Sequence, residues 1–309
     1  MKFFSPSVSF HTEITDKART ATRLPDPEAI RAHYVQTLED YGRWSRGYNM
    51  HFGHWKRGMN PFDREAMLEA ANSEVIATLN LPAAATCRVV DFGCGAGATA
   101  RALARRYPRA EITGVTLVHE QIMLACKLNR QAGLARRIGF VLADFTDTWF
   151  GAASQDGALA IESFCYAPGS DKASVLREAA RVLKPGAHLT VVDGFLLAKE
   201  PGGLIGWIAR RLRDGWAIAE FAVLGDFTRA MQAEGFEEIE VRDLSWRIAL
   251  CVAHVPWVAT THMLRELWRH RGRLPALEWK HIASSWLAIF LGLARGTFRY
   301  CMVSGKKRV

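Results

Sequence analysis

The stretch Val89-Val90-Asp91-Phe92-Gly93-Cys94-Gly95-Ala96-Gly97 decides the fold. Arg88 to Phe92 reads as a short apolar strand that runs straight into a turn with glycine at alternate positions. Glycine permits backbone angles closed to other residues and lets the main chain approach a ligand closely. Ala98 to Tyr107 then reads as a helix. A strand, a glycine turn and a helix in this order put a ligand site at the carboxyl edge of the first strand of a doubly wound sheet.

The alternation continues outward from that point. Strands are predicted over Glu111 to Val115, Ile138 to Leu142, Gly157 to Glu162 and His188 to Asp193, with helices over Glu120 to Ala132 and Lys172 to Leu183 between them. Strands alternating with helices imply a parallel sheet with helices on both faces. After Gly194 the pattern changes. Leu204 to Ala219 reads as an amphipathic helix, Phe227 to Glu234 as a helix ended by Gly235, Phe236 to Leu244 as a strand and Thr297 to Ser304 as the last strand. Between the last two strands, Ile248 to Gly296 is a mainly helical insertion rich in Trp, His and Arg.

On the amino-terminal side, Met1 to about Pro27 reads as a mobile arm and Asp26 to Glu39 as a helix capped by Asp26, with Pro27 in its first turn. Tyr41 to Trp55 is rich in aromatics and glycine and reads as a packing or binding loop; Asp63 to Leu79 reads as a helix. The expected organisation is an arm and helical cap over 1–80, a ligand-binding core over 81–200, and over 201–309 the rest of the sheet with a helical lid at 248–296. The fold class is α/β: a doubly wound, mostly parallel seven-stranded sheet with an N-terminal helical cap and a helical insertion before the last strand.

Composition narrows the classes. The chain has 309 residues, 49% hydrophobic and 23% charged, which is enough for a large core and argues against general disorder. The net charge is +9. A basic balance suits nucleic acid, an anionic membrane or an anionic substrate, but the arginines are spread over many helices and no nucleic-acid recognition motif is visible. Nucleic acid is therefore not an expected partner. Cys87, Cys94, Cys126, Cys165, Cys251 and Cys301 form no C-x-x-C pair and no zinc spacing, so no metal is expected and the thiols read as reduced. Met1 to Thr20 has no long apolar core, and Trp286 to Ala294, the longest apolar stretch, falls far short of the ~20 residues that cross a bilayer. The expected location is cytoplasmic, with association to a membrane left open.

The glycine spacing departs from the G-x-G-x-x-G of dinucleotide folds, because Gly93, Gly95 and Gly97 are followed by Thr99 and Ala100. Asp91 at the strand end, then Asp144, Glu162 and Leu183-Lys184-Pro185-Gly186, complete an ordered set. This set, from Arg88 to about Val192, resembles class I S-adenosylmethionine-dependent methyltransferases, which are Rossmann-like. The resemblance implies S-adenosyl-L-methionine as cofactor. It implies that Gly93, Cys94 and Gly95 line its methionine part, that Asp91 anchors the loop, and that Asp144 meets the adenine amino group with Phe145 near the ring. Many family members carry an acid at the end of the second strand to hold the ribose. This chain has Gly114-Val115-Thr116-Leu117, followed by Glu120 and Gln121. Subfamilies that methylate carbon in lipids are similar there, which implies Thr116 and Gln121 at the ribose.

Ala160-Ile161-Glu162-Ser163-Phe164-Cys165-Tyr166-Ala167-Pro168 is the second informative stretch. An acid ending a mostly apolar strand is costly unless it is paired or functional. The stretch is similar to one in sterol side-chain methyltransferases, and tocopherol and prenyl-diphosphate C-methyltransferases keep an acid at the same place. The run His33-Tyr34, Tyr41, Trp44 and His51-Phe52 also looks like the aromatic lead-in of sterol methyltransferases. The resemblance implies an alkene acceptor of isoprenoid, sterol-like or other apolar character. The double bond attacks the methyl carbon, aromatic rings steady the cation, and a carboxylate takes a proton. Glu162 is the candidate base, with Tyr34, Tyr41, Trp44, Phe52 and Trp55 as aromatic wall. Glu162 could instead only position a loop or touch the cofactor. In a secondary-metabolite O- or N-methyltransferase, His51 or His54 would be the base.

In the insertion, Trp257, His262, Trp268, Trp279, His281 and Trp286 either line a pocket or form the lid's own small core. Leu204 to Ala219 places Ile205, Ile208, Leu212 and Trp216 on one face, with Arg210, Arg211 and Arg213 off it. That helix either packs on the sheet or rests on a membrane surface. The lid or the helix near Trp216 could also contact a second copy in a homo-oligomer.

Overall fold

A computed structural model describes residues 26–82, 85–199, 201–273 and 276–309, with the backbone alone described at 276–278 and 281. The expected arm lies outside these residues as far as position 25.

Strand β1 (Arg88–Phe92) is flanked by parallel β2 (Glu111–Thr116) and β4 (Gln155–Ile161). Beyond β2 lies β3 (Ile138–Leu142); beyond β4 lies β5 (Leu183–Leu196). Antiparallel β8 (Phe298–Lys307) and β7 (Phe236–Asp243) close the order β3-β2-β1-β4-β5-β8-β7. The chain winds outward from β1 in one direction and returns to its other side at β4, so the carboxyl ends of β1 and β4 form the switch point where such sheets bind ligands.

The seven strands of this order are the expected sheet; among the described residues β6 (Ala222–Val223) adds an eighth, a two-residue parallel pairing at the end of β5. So short a segment has no periodicity to read. Strand β5 also outruns the expected His188 to Asp193, since β8 pairs with it from His188↔Lys306 to Leu196↔Phe298.

Helices α3 (Ala98–Arg106), α4 (His119–Gln131), α5 (Ala173–Val182) and α7 (Leu224–Ala233) accompany the strands. In α5 the spacing of Val175, Leu176, Ala179 and Val182 buries one face against the sheet. The core there includes Phe92, Phe164 and Phe227, with Phe164 lying 6.3 Å from Phe92 and 6.5 Å from Phe227 between ring centroids.

Helix α1 (Pro27–Trp44) starts as expected, with Asp26 accepting from the N–H groups of Glu28 and Ala29. It continues past Glu39 through Trp44, so Tyr41 and Trp44 stand on a helix rather than in a loop. Helix α2 is Arg64–Thr78. Helix α6 (Gly203–Gly215) buries Ile208 and Leu212 and so packs inward, ending before the expected Ala219. The insertion forms α8 (Ser245–Val252), α9 (Val255–Arg269) and α10 (Ala276–Leu293), with α9 packed on α10 and α10 on α6.

Candidate functional site: a cofactor cleft joined to an apolar cavity

Two cavities meet at the switch point. The first is a cleft above the glycine turn. Gly93, Gly95 and Gly97 all have positive φ (78°, 51° and 73°), which favours glycine. A Cβ on any of the three would also come within 3 Å of a neighbouring side chain, on Gly97 at 2.8 Å from the Phe140 Cζ. A Cβ on Gly93 would stand 2.2 Å from the Ser163 Cβ, and one on Gly95 would stand 2.6 Å from the Met50 Sδ. Ser163 is fixed by donating its hydroxyl to the Phe92 carbonyl at 2.6 Å, so the end of β4 is tied to the turn after β1.

Asp91 also lines the cleft. Its Oδ2 is buried with no hydrogen-bond partner among the described residues, and burial pushes its carboxyl up to about 7. A cationic or N–H-bearing ligand would satisfy that oxygen. Cys94, Thr116, Gln121 and Phe145 line the same cleft. The Thr116 hydroxyl donates to the Gln121 side-chain oxygen at 2.6 Å, which makes the two polar groups one unit. Phe145 packs on Phe164, 5.9 Å between centroids. Asp144 is placed differently. It is exposed outside the cleft lining, and its Oδ1 accepts from the backbone and hydroxyl of Thr146, each at 2.8 Å.

The second cavity encloses about 220 Å³. Its walls come from α1, the loop before α2, α6, the insertion and β8, including Tyr41, Trp44, Phe52, Leu212, Ile282 and Phe298. Tyr34, Met50, His51, Glu162 and Tyr166 line both cavities and form the wall between them.

Glu162 is the acid in that wall. It leaves β4 with φ of +50°, a conformation that costs a non-glycine residue about 1–3 kcal/mol. Its N–H donates to the Val192 carbonyl at 2.7 Å. Its Oε1 accepts from the Phe52 N–H at 2.8 Å and the Tyr300 hydroxyl at 2.6 Å. Burial raises its carboxyl to about 7; those two donors pull against the rise, and neighbouring Asp193 adds to it. Asp193 lines the second cavity and is itself pushed to about 6 by burial.

Aromatic rings flank this acid. Tyr34 stacks on Tyr41 at 6.1 Å and meets Tyr166 edge-on at 5.8 Å; Trp44 meets Phe52 at 6.0 Å, and Phe52 meets Tyr300 at 6.2 Å. Burial holds Tyr34 well above the usual phenol range, so it stays protonated and donates to the Tyr166 hydroxyl at 3.0 Å.

The two histidines part company. His51 stands in the shared wall, but its Nδ1 lies 3.0 Å from the Phe52 carbonyl and its Nε2 3.1 Å from the Asn72 side-chain oxygen. Burial lowers its pKa to about 4. His54 lies outside both linings, with Nδ1 3.0 Å from Glu74. Trp55 is also outside, donating its indole N–H to the Met59 carbonyl. In the insertion, His262 is buried and lines the cavity, whereas Trp257, Trp268, Trp279 and Trp286 face solvent. They therefore form neither a pocket wall nor a lid core; the inward positions are taken by Val255, Ala259, Ile282 and Leu291. The side chain of His281 is outside the described residues.

The family profile described as "Methyltransferase domain" matches residues 89–186. Over 201 residues the chain is 31% identical to the 27-O-demethylrifamycin SV methyltransferase of Amycolatopsis mediterranei, covering 64% of this chain and 70% of that one. This chain belongs to the class I S-adenosylmethionine-dependent methyltransferases. It is 36% identical to methyltransferase phqN of Penicillium fellutanum over 55% of its length, and spans about half (51%) of that relative. It is 35% identical to 24-methylenesterol C-methyltransferase 2 of Oryza sativa subsp. japonica, over 54% of this chain and 45% of that one. The structure of the cyclopropane synthase MmaA2 from Mycobacterium tuberculosis superposes with a TM-score of 0.76 at 19% identity, covering 94% of this chain and all of that one, so the fold is shared.

The chain is thus an enzyme with S-adenosyl-L-methionine as its cofactor. The residues of the cleft fit that group: a glycine cradle that a Cβ would fill, and a buried acid with one oxygen that has no partner among the described residues. Tyr300, Asp193, Met50 and Ser163 escaped the sequence reading. Tyr300 and Asp193 come to the site through strand pairing, Met50 carries no motif of its own, and Ser163 stands in the quoted stretch beside Glu162 without a role assigned to it.

Proposed function

We propose that this methyltransferase acts on carbon, adding a methyl group to an alkene of an isoprenoid, sterol-like or other apolar acceptor. The observation that carries the reading is Glu162, a buried carboxyl in the wall between the cofactor cleft and an aromatic-lined apolar cavity.

The cofactor supplies a methyl group on a sulfonium, a good leaving group. The protein aligns the acceptor and shields the charge that develops. As the alkene carbon bonds to the methyl carbon, a carbocation forms on the acceptor. The faces of Tyr34, Phe52 and Tyr166 suit a cation. Loss of a proton from the adjacent carbon to the Glu162 carboxylate restores the double bond. At about 7, Glu162 is a stronger base than an ordinary carboxylate and still ionised in a useful fraction near neutral pH. A cavity of ~150 Å³ holds a benzene, so about 220 Å³ takes a body larger than one ring.

Labelled cofactor with a panel of sterols, prenyl diphosphates and phenols tests this. Methyl incorporation on an alkene carbon, located by NMR, is expected, and turnover that survives Glu162→Gln would remove Glu162 from the mechanism.

Similarity to the 27-O-demethylrifamycin SV methyltransferase favours a second reading, O-methylation. In that case Glu162 again suits the base better than His51, whose ring nitrogens both face protein oxygens. A product with the new methyl on oxygen would decide for it.

A further inference from the structure

The outer faces of α9 and α10 carry a feature that neither methyl transfer nor the cofactor uses. On α9, Trp257, Leu264 and Trp268 are exposed, and their spacing of seven and four puts them on one face. On α10, Trp279, Trp286, Phe290 and Leu293 are exposed at spacings of seven, four and three, again one face. Trp268 is 86% exposed and Trp257 73%. The two helices pack on each other, and their opposite faces, with Ala259, His262, Ile282 and Leu291, wall the apolar cavity. The seven large apolar side chains therefore lie together on the side turned away from the cavity. Soluble proteins rarely expose so large an apolar patch without an interaction to cover it.

Charge says what covers it. The end of α9 and the start of α10 bring Arg265, Arg269, Arg271, Arg273 and Lys280 to the surface beside Trp268 and Trp279. Residues 245–299 hold eight Lys and Arg against two Glu, a net +6 of the chain's +9. A second copy meeting this face by a two-fold axis would set that charge against itself. A surface of anionic lipid complements it, and tryptophan beside arginine and lysine is the side-chain pairing that suits the headgroup level.

We propose that the α9–α10 hairpin docks the enzyme on an anionic lipid bilayer, with Trp268 and Trp279 entering the interface and the arginines at its tip meeting the headgroups. Among the described residues no helix is long and apolar enough to cross a membrane, so the contact is peripheral. Helix α6, whose apolar stripe is buried on the protein, is not the docking element. An acceptor dissolved in the bilayer would then meet the two helices that wall the cavity; this last step rests on the acceptor reading above, and the docking does not.

Flotation of the purified full chain with vesicles tests the docking without any methyl acceptor present. Vesicles of phosphatidylcholine with phosphatidylglycerol should carry the protein, and phosphatidylcholine alone should carry much less. The double variant Trp268→Ser/Trp279→Ser should lower partitioning by about tenfold or more. Arg269→Gln and Arg273→Gln should each lower it by about fivefold. Both sets should bind S-adenosylhomocysteine as the unaltered chain does, which reports an intact fold. An unaltered chain that stays off anionic vesicles, or variants that float as well as it does, would overturn the docking. So would a dimer in solution that the tryptophan variant dissociates, which would assign the face to a second copy. Failure of the acceptor panel would leave the flotation result standing, so the two readings fail separately.

Discussion

The cofactor cleft and the apolar cavity share a wall and are built in opposite ways. The cleft is centred on the turn after β1 and the neighbouring strand ends, where Gly93 and Gly95 have positive φ and a Cβ would meet the Ser163 and Met50 side chains. The cavity is made by side chains from α1, α6, the insertion and β8, regions far apart in sequence. The difference teaches where change is tolerated. A backbone cradle constrains its residues one by one, whereas a packed wall of helices constrains mainly volume and polarity.

Glu162 belongs to both halves, so altering it breaks the comparison most sharply. Glu162→Gln should lower turnover by about 10²–10⁴-fold, the range of a lost general base. Affinity for S-adenosylhomocysteine, measured by calorimetry, should stay within a few-fold. A matched collapse of both quantities would mean that the acid holds the cofactor instead.

The next two changes separate the halves. Gly93→Ala forces a side chain to φ of +78° and onto the Ser163 Cβ, so cofactor affinity should fall by about ten- to a hundredfold. Phe52→Leu keeps an apolar wall and removes a ring that lines only the cavity. Turnover should fall by about tenfold with cofactor affinity unaltered, if the ring faces a developing cation. Equal losses of cofactor binding in both variants would erase the distinction between cradle and wall.

The smallest effect is a shift in pH. Glu162 is raised to about 7 and acts in its ionised form, so kcat/KM should climb with pH through about 7 and level above it. The Tyr300 hydroxyl holds that value down by donating to Oε1. Tyr300→Phe should therefore move the limb to higher pH, with the plateau less affected than in Glu162→Gln. A limb that does not move would place the titrating group elsewhere.

The parallel core was legible because its signals are local. Val89, Val90 and Phe92 mark a buried strand, the alternate glycines mark the turn, and the expected Ile138 to Leu142 is the span of β3. The long pairing of β5 with β8 was not legible, because strand length there is set by a partner about a hundred residues away, and two-residue β6 is too short to carry a periodicity. The four insertion tryptophans show the same limit. Their residue type argues for burial, but their positions on α9 and α10 face outward once smaller side chains fill the cavity side.

The sequence by itself determined the fold class, the cofactor and the acid most worth testing, because backbone angles, strand burial and motif order act over a few residues. Only the tertiary structure decided which groups share that acid's surroundings. The wall joining Tyr34, Met50, His51, Glu162 and Tyr166, the Tyr300 hydroxyl on Glu162, and the outward turn of Trp268 and Trp279 follow from packing between distant segments. Contact of that kind depends on how helices cross the sheet, and no spacing along the chain encodes it.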